Sequence, residues 1–325
     1  MDYKKTIRYH WIDNIKFLGL FLVVFGHLGT SSLHDAIYGF HMPLFYFLSG
    51  LLHRDKPVRN VCMRLLVPYL LFNLLYVVIE FPWLYRHFKN FNFLYNDILG
   101  IIIPYNHPVD YPTWFLLSLF EIKCIIKIFH NNVHLVLCLN ILCLAMCALG
   151  EWNVNEPFFL KNTIVGLGYY CIGFLFHCSI DDRQILNNRH RAVCLLGGVI
   201  SITLYCLLMK NSQLCDWNKA IEHPLQYFYS LLGCLGFVFL FMALINMKSL
   251  FVERICMGGI AIIGLHSLFI QYFRRLIIFL GCKWGAFSIV ETTLISSLIM
   301  ALCIITIPYL NKYFPLLIGL NKRKI

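Results

Sequence analysis

The sequence predicts an all-α, polytopic integral membrane protein with about ten transmembrane helices. Hydrophobic residues make up 59% of the chain, charged residues make up 13%, and the mean hydropathy is +0.70. A water-soluble globular protein usually carries about twice that charged fraction. The apolar residues also fall in runs that are long enough to cross a bilayer. We therefore expect a single membrane domain over residues 1–325, with no segment long enough to fold as a soluble domain.

Apolar windows mark the predicted spans in order along the chain. Each window is near the length of about 20 residues that a helix needs to cross the hydrocarbon core. Pro43 and Pro68 lie inside two of the windows, and proline removes a backbone hydrogen bond, so we expect a kink at each. The windows fall near residues 12–31, 36–53, 65–82, 112–130, 134–150, 161–180, 192–210, 224–246, 257–280 and 288–310.

Basic residues are divided unequally between the two sets of connecting segments that these spans define. Eighteen Lys and Arg residues fall on the amino-terminal side and six on the opposite side, while Lys16, Arg274 and Arg275 lie inside spans. Cytoplasmic loops of membrane proteins carry an excess of Lys and Arg. The asymmetry predicts that both termini are cytoplasmic. Because the charges fall at span ends, the net charge of +11 does not indicate a nucleic-acid partner.

The longest predicted extracytoplasmic connection covers about residues 82–112. Its apolar run from Ile98 to Ile103 predicts a helix that lies on the outer leaflet or re-enters it. Tryptophans at the predicted outer boundaries are expected to form an aromatic belt at the membrane surface. They are Trp83, Trp114, Trp152, Trp217 and Trp284.

The fourteen cysteines raise the question of disulfides or a metal site. Most of them, such as Cys143 and Cys171, lie inside apolar spans, where Cys behaves as a small hydrophobic residue. No CxxC pair or Cys/His spacing typical of a metal site occurs in the sequence. We expect no metal.

Two histidines flank the turn of the first predicted hairpin, near residues 32–35. His27 and His41 each lie about seven residues from the centre of that turn, which places them at a similar depth. Lys16 is eleven residues before His27, on nearly the same helix face and about 16 Å away. A lone histidine in a span is as often a structural tie between helices as a functional group. Two histidines at the same depth favour a functional role over a structural one. Together with Lys16 they suit a ligand that has an anionic head and a long reactive arm.

The segments around these residues carry a family resemblance. Asp13-x-x-Lys16 precedes His27, and Phe40-His41-Met42-Pro43-Leu44-Phe45 leads into Leu48-Ser49-Gly50. Further matching segments are Arg64-Leu65-Leu66-Val67-Pro68-Tyr69, Trp114-Phe115-Leu116 and a glycine-rich segment that ends at His266. Over nearly its whole length the chain resembles the integral-membrane acyltransferase family 3, in the branch with Lys on the first helix. That family includes O-acetylases of lipopolysaccharide, peptidoglycan and nodulation factors. Where it usually has Ser and Tyr before the last histidine, this chain has Gly259 and Ile263.

Acyl transfer to a hydroxyl needs a base, because a free alcohol is a weak nucleophile at neutral pH. His27 is the expected base, since histidine titrates in the right range and His27 matches the catalytic histidine of the family's first helix. Direct attack of the hydroxyl on a thioester is favoured, with an acyl-histidine intermediate as the alternative. His41 is expected to orient His27 or polarise the carbonyl, unless it is purely structural. Ser49 is expected to hydrogen-bond between helices rather than act as a nucleophile, with Gly50 permitting close approach.

The resemblance assigns other motif residues to donor binding and to support. Lys16 and Arg64 are expected to hold the phosphates of an acyl-CoA donor, and Asp13 to pair with Lys16 along the helix. Trp114 and His266 are expected to support the site.

The function implied by the resemblance is O-acyl transfer, with acetyl as the expected group, in the inner (cytoplasmic) membrane. The donor would be cytoplasmic acyl-CoA, and the acceptor a sugar hydroxyl of a cell-envelope glycan or its lipid-linked precursor. The competing class is a transporter or flippase in which the histidines relay protons. The sequence has no internal repeat of the kind that many transporters show, and it leaves the oligomeric state open.

Overall fold

The computed structural model describes residues 9–28, 33–88, 92–103, 110–148, 158–179, 188–211, 217, 224–245, 247–285 and 287–320. All regular structure in these ranges is helical, and no strand occurs in them. Six helices in the described part of the chain are long and apolar enough to cross a membrane, and Val133–Ala145 is a shorter apolar helix. The predicted all-α membrane fold is confirmed, whereas the number of about ten spans stays a prediction.

The helices follow the predicted windows closely. Two short 3₁₀ turns, Tyr111–Thr113 and Pro315–Ile318, join or follow them. The α-helices are α1 His10–Leu28, α2 His34–Tyr38, α3 His41–Leu51, α4 Val58–Arg64, α5 Leu66–Phe88, α6 Asn92–Ile102, α7 Trp114–Ile128, α8 Val133–Ala148, α9 Leu160–Ser179, α10 Asn188–Asn211, α11 Pro224–Leu244, α12 Leu250–Met257, α13 Gly259–Phe279 and α14 Ile289–Tyr313.

α1 lies at the centre of the bundle and carries two of the motif residues. It packs against α3, α11, α13 and α14, and it is the most enclosed of the six membrane-length helices. Val24 belongs to a core shared with α5, α7, α9 and α13, whereas Ile15 belongs to a second core shared with α3, α10 and α11. The two cores therefore hold α1 from opposite sides.

The second predicted span, residues 36–53, is not one helix. The chain breaks at Gly39 and Phe40 between α2 and α3. Eleven residues rise only about 16 Å, so α3 alone covers about half of the hydrocarbon thickness. Pro43 lies in the first turn of α3 and Pro68 in the first turn of α5, where a missing N–H costs no helical hydrogen bond. The helical path nevertheless breaks three to four residues before each proline, at Gly39–Phe40 before Pro43 and at Leu65 before Pro68. A proline ring clashes with the carbonyl four residues earlier, so the predicted interruption of these two spans occurs just before each proline.

α3 packs against α9 through two glycines. A Cβ at Gly50 would lie 1.9 Å from the backbone oxygen of Tyr170, and one at Gly173 would lie 2.0 Å from that of Phe47. Such distances leave no room for any side chain, so the backbones approach closely. The close approach predicted for Gly50 is confirmed. Ser49 beside it is partly buried and makes no hydrogen bond across to α9 in the described part of the chain.

Connections predicted to share one side of the membrane meet each other. Lys127 Nζ lies 3.0 Å from Asp55 Oδ1, and Gly319 packs against the backbone of Arg64. We call the end of the bundle that contains Asp55, Lys127 and Arg64 the basic end. Its assignment to the cytoplasm stays a prediction, and Lys4, Lys5 and Arg8 lie outside the described residues.

The predicted connection at residues 82–112 is more helical than expected, because α5 continues to Phe88 and α6 follows. The aromatic belt is wrong for two of its members. Trp114 and Trp217 are buried, at 8% and 3% exposure, whereas Trp83 is 49% exposed. Trp152 lies outside the described residues.

Candidate active site

His27 lies in the last turn of α1 and is partly buried. Gly26 beside it makes room for α2, since a Cβ at position 26 would lie 2.8 Å from Cε2 of Tyr38. The ring centroids of His27 and Tyr38 are 6.3 Å apart. The short helix α2 therefore folds back over the end of α1 and closes one side of the site.

His41 is the first residue of α3 and is 3% exposed. Its Nδ1 lies 2.9 Å from the backbone oxygen of Ile37. A carbonyl oxygen only accepts hydrogen bonds, so Nδ1 carries the proton and Nε2 of the neutral ring keeps its lone pair. The Tyr38 ring lies 5.0 Å from the His41 ring. Tyr38 thus lies near both histidines that the sequence predicted to lie at similar depth.

His266 joins this group from α13. Its ring centroid is 5.0 Å from that of His27, and the residue is fully buried. Its Nδ1 lies 2.7 Å from the backbone oxygen of Ile262, which again assigns the proton to Nδ1. Its Nε2 is buried and has no hydrogen-bond partner among the described residues. The structure therefore brings three histidines from three helices together, and we call this the histidine end of the bundle.

A cavity of about 60 Å³ lies at this meeting point. His27 and His41 line it together with Tyr38, Trp114 and Asn162. On this measure one water molecule needs about 10–15 Å³, so the cavity has room for a small group such as an acetyl group.

Two stacked tryptophans form one wall of the cavity. The Trp114 and Trp217 rings lie 5.9 Å apart and are inclined by 15°. Trp114 is the first residue of α7, and Trp217 belongs to the connection between α10 and α11. A connection that is distant in sequence therefore contributes to the site.

Asp110 anchors the turn that leads into α7. Its side chain is fully buried, and Ser267 Oγ donates to its Oδ1 at 2.6 Å. Its backbone N–H donates to Asn73 Oδ1 at 2.9 Å, and Thr113 Oγ1 donates to its backbone oxygen at 2.6 Å. Burial raises the pKa of Asp110 to about 8. The network joins α5, α7 and α13 next to His266 and Trp114, so it fixes two sides of the cavity.

A second network crosses the interior below the cavity. Tyr46 lies 2.7 Å from Ser118, and Thr163 Oγ1 lies 2.8 Å from Ser118 Oγ and 2.7 Å from Glu121 Oε2. A hydroxyl group both donates and accepts, so these contacts form a continuous chain from Tyr46 through Ser118 and Thr163 to Glu121. The polar groups of α3, α7 and α9 thus satisfy one another away from water.

The predicted donor-binding residues lie away from the cavity. Lys16 is eleven residues before His27 on α1, about 16 Å along the axis. Arg64 is exposed at the end of α4 in the basic end. The lining of the cavity includes neither residue, nor Asp13. These three residues belong to the opposite part of the bundle.

One group of potential metal ligands occurs among the described residues. The ligand atoms of His10, Asp13 and Glu253 lie within 4.8 Å of one another, and all three residues are partly buried. His10 Nδ1 and Glu253 Oε1 are 3.6 Å apart, as in an ion pair. The group lies at the start of α1, far from the cavity, and the expectation of no metal stays a prediction.

Three lining residues with polar groups or aromatic rings were not assigned to the site from the sequence, namely Tyr38, Asn162 and Trp217. Tyr38 is three residues before His41 in the predicted span 36–53, where that spacing would place both residues on one helix face, so it could have been found. Asn162 and Trp217 reach the site only through the packing of α9 and the connection before α11, which no local pattern reveals.

The fold and site define a multi-pass membrane protein with a small, histidine-lined cavity. A family model described as an acyltransferase domain, Acyl_transf_3, matches residues 9–308. The match covers nearly the whole chain, so the protein belongs to acyltransferase family 3. No curated protein and no solved structure matches the chain.

Proposed function

We propose that this membrane acyltransferase is an O-acyltransferase that moves an acyl group, with acetyl as the expected group, from cytoplasmic acyl-CoA to a sugar hydroxyl. The acceptor in this proposal is a cell-envelope glycan or its lipid-linked precursor, and the membrane is the inner (cytoplasmic) one. The observation that carries the proposal is one small cavity lined by His27 and His41, with the His266 ring against that of His27, in a chain of the acyltransferase family.

In the proposed reaction, His27 takes the proton of the acceptor hydroxyl as its oxygen attacks the thioester carbonyl. The new C–O bond forms, the C–S bond breaks, and the imidazolium returns the proton to the departing thiolate. His27 is assigned this role because it lines the cavity at its junction with the other two histidines. The small cavity would hold the reacting groups and keep out bulk water.

His41 and His266 are proposed to orient His27. Each uses Nδ1–H on a backbone carbonyl, so each presents Nε2 as an acceptor. An acceptor can hold the N–H of His27 and so select its tautomer, as carboxylates do for catalytic histidines elsewhere. A neutral Nε2 cannot donate to a thioester carbonyl. The geometry therefore favours orientation over carbonyl polarisation for His41.

Lys16 and Arg64 are proposed to bind the phosphates of the donor, at a distance from the reacting atoms. The axial separation of about 16 Å between Lys16 and His27 suits a long donor whose acyl end reaches the cavity. Lys16→Ala should raise the KM for acyl-CoA and leave the dependence on acceptor nearly unchanged. Arg59→Ala is the control, because Arg59 is an exposed basic residue on α4, the helix that ends at Arg64, and has no motif position. An unchanged donor KM would remove Lys16 from the donor site.

The proposal is tested with purified protein, acetyl-CoA labelled in the acetyl group, and an extract of envelope glycolipids. The expected result is labelled glycan that forms with wild-type protein and fails to form with His27→Gln. A transporter or flippase would leave the thioester intact with every acceptor. Comparing envelope-glycan O-acetylation in cells with and without the protein then identifies the acceptor.

A further inference from the structure

A groove of about 500 Å³ lies between α5 and α13, separate from the histidine cavity. Its lining combines two arginines with exposed aromatic rings. Trp83 is 49% exposed and Phe279 is 86% exposed. The residues that give the groove its chemistry are Trp83, Arg86, Tyr272, Arg275 and Phe279.

Arg275 is held rigidly in this groove. Its Nη1 donates to Glu80 Oε1 at 3.1 Å, and its Nη2 donates to Glu80 Oε2. The guanidinium carbon lies 4.8 Å from the centre of the Trp83 ring and 5.1 Å from that of Tyr272. Since the pair with Glu80 uses two of the five N–H donors, others remain at the part of the side chain that is exposed. A guanidinium fixed in this way is arranged to bind a second anion.

The charge of the groove is unbalanced. Glu80 is 2% exposed and lies behind Arg275, whose charge it offsets. Arg86 is exposed and adds a second positive charge, and none of the described residues that line the groove is a carboxylate. The rest of the lining is apolar or aromatic. An anion attached to apolar chains fits both features.

The groove also lies at a defined height on the bundle. Arg275 is nine residues beyond His266 on α13, which is about 13 Å further from the basic end and about half a turn around the helix. The groove therefore opens away from the histidine cavity. With the basic end in the cytoplasm, it faces the outer leaflet.

We propose that this groove binds the phosphate of an anionic lipid of the outer leaflet. The phosphate accepts hydrogen bonds from Arg275 and Arg86, and the acyl chains lie along the exposed side of Phe279. Arginine suits this role because its fork of donors matches phosphate oxygens. The site is independent of the proposed acyl transfer.

The test measures lipid retention by the full-length protein in detergent, using native mass spectrometry during titration with short-chain phosphatidylglycerol or phosphatidylcholine. Glycerol phosphate serves as the headgroup without chains. Arg86→Gln removes one phosphate contact, and Glu80→Gln/Arg275→Gln removes the other without leaving a buried charge unpaired. Arg274→Gln is the matched control, because Arg274 is exposed on the same helix and does not line the groove.

The wild-type protein should retain phosphatidylglycerol in preference to phosphatidylcholine, and Arg86→Gln should weaken that binding by roughly tenfold. The double variant should lose the preference, and Arg274→Gln should keep it. Equal retention of both lipids would overturn the proposal, as would an equal loss in Arg274→Gln. Binding of glycerol phosphate as tight as that of the lipid would also overturn it, in favour of a soluble phosphate ligand. Unchanged thermal unfolding of each variant shows that the fold is intact.

Discussion

At the histidine end of the bundle, His41, His266 and Asp110 are buried, and each is hydrogen-bonded to its neighbours. At the basic end, Asp55 and Lys127 form an ion pair whose side chains remain 62% and 38% exposed. The same chain thus holds polar groups in two ways. At the histidine end the positions of the polar groups are fixed by packing. At the basic end the polar groups form an ion pair that is exposed to water, which competes for the same hydrogen bonds.

This difference predicts that the two ends of the bundle respond differently to substitution. A buried polar group without its partner costs free energy, so the histidine end tolerates few arrangements of its side chains. Exposed ion pairs contribute little to stability and rearrange readily. We therefore expect substitutions at the histidine end to have large and specific effects. Substitutions at the basic end should have small effects on folding, even where they affect donor binding.

The largest effect is expected for His27→Gln. Glutamine keeps much of the side-chain volume but cannot take up a proton, and a positioned base usually contributes about 10² to 10⁴ in rate. The acyl-transfer rate should fall by that factor at unchanged expression. His41→Gln should be less severe, because the amide can still donate to the oxygen of Ile37 or accept from a neighbour. Single-turnover transfer of labelled acetyl groups measures both variants.

If His27 had only a structural role, the expected order of the two activity losses would be reversed. His27→Gln would then retain near wild-type activity, and any loss would follow the amount of folded protein. That outcome would contradict the assignment of His27 as the base.

A large effect on folding is expected for Gly50→Ala, where α3 and α9 meet. The new Cβ would lie 1.9 Å from the backbone oxygen of Tyr170, and a backbone atom cannot move aside alone. Overpacking of this kind costs about 1–3 kcal/mol, and displacement of α3 would also move His41. Thermal unfolding should shift to lower temperature, with loss of activity.

Gly100→Ala is the matched control for that substitution. Gly100 lies in α6 with no atom within 4 Å of the added Cβ, and alanine favours helix more than glycine does. The control variant should be as stable as the wild type or more stable. Equal destabilisation by both substitutions would show that the α3–α9 contact is not special.

Most of the fold was predictable because hydropathy marks where a helix must be buried in lipid or protein. The windows near 192–210 and 288–310 correspond to α10 and α14. Pro43 predicted a kink in the second span, but the position of the break at Gly39 and Phe40 was not predicted, since both residues fit an apolar run equally well. Packing also restricts this position, because a Cβ at Gly39 would lie 2.2 Å from the hydroxyl of Tyr205 on α10. Such a contact is invisible until the helices are placed.

The site was predictable where it depends on one hairpin and unpredictable where it depends on the bundle. His27 and His41 are close in sequence, so their spacing along two helices indicated a shared depth. His266 lies more than two hundred residues away, and its approach to His27 follows from how α13 packs on α1. Trp217 looked like a membrane-surface residue, because burial of a tryptophan near a span end cannot be read from its position.

A smaller effect, dependent on pH, is expected for Asp110→Asn at the histidine end. The pKa of Asp110 is about 8 in the folded protein, against an ordinary value of 3.8. Between these values the unfolded chain is ionised while the folded chain holds its proton, so stability falls as pH rises from about 4 to about 8. The slope is at most about 1.4 kcal/mol per pH unit. Asparagine has no such titration and can still accept from Ser267, so the variant should gain stability relative to wild type across this window. Parallel stability curves for the two proteins would contradict the buried, neutral carboxyl.

The smallest effect is expected for Asp55→Asn at the basic end. The hydrogen bond and charge of Lys127 hold the pKa of Asp55 below its ordinary value of 3.8. A lowered carboxyl pKa stabilises the fold at neutral pH, and that contribution disappears only as pH falls through the folded-state pKa. From pH 5 to pH 9 the variant should therefore follow the wild type in parallel, unlike Asp110→Asn, and added salt should shrink the small difference further. Thermal unfolding of the three proteins across that range, at low and high salt, makes the comparison. A pH-dependent loss in Asp55→Asn as large as the change in Asp110→Asn would show that the basic end is as tightly packed as the histidine end.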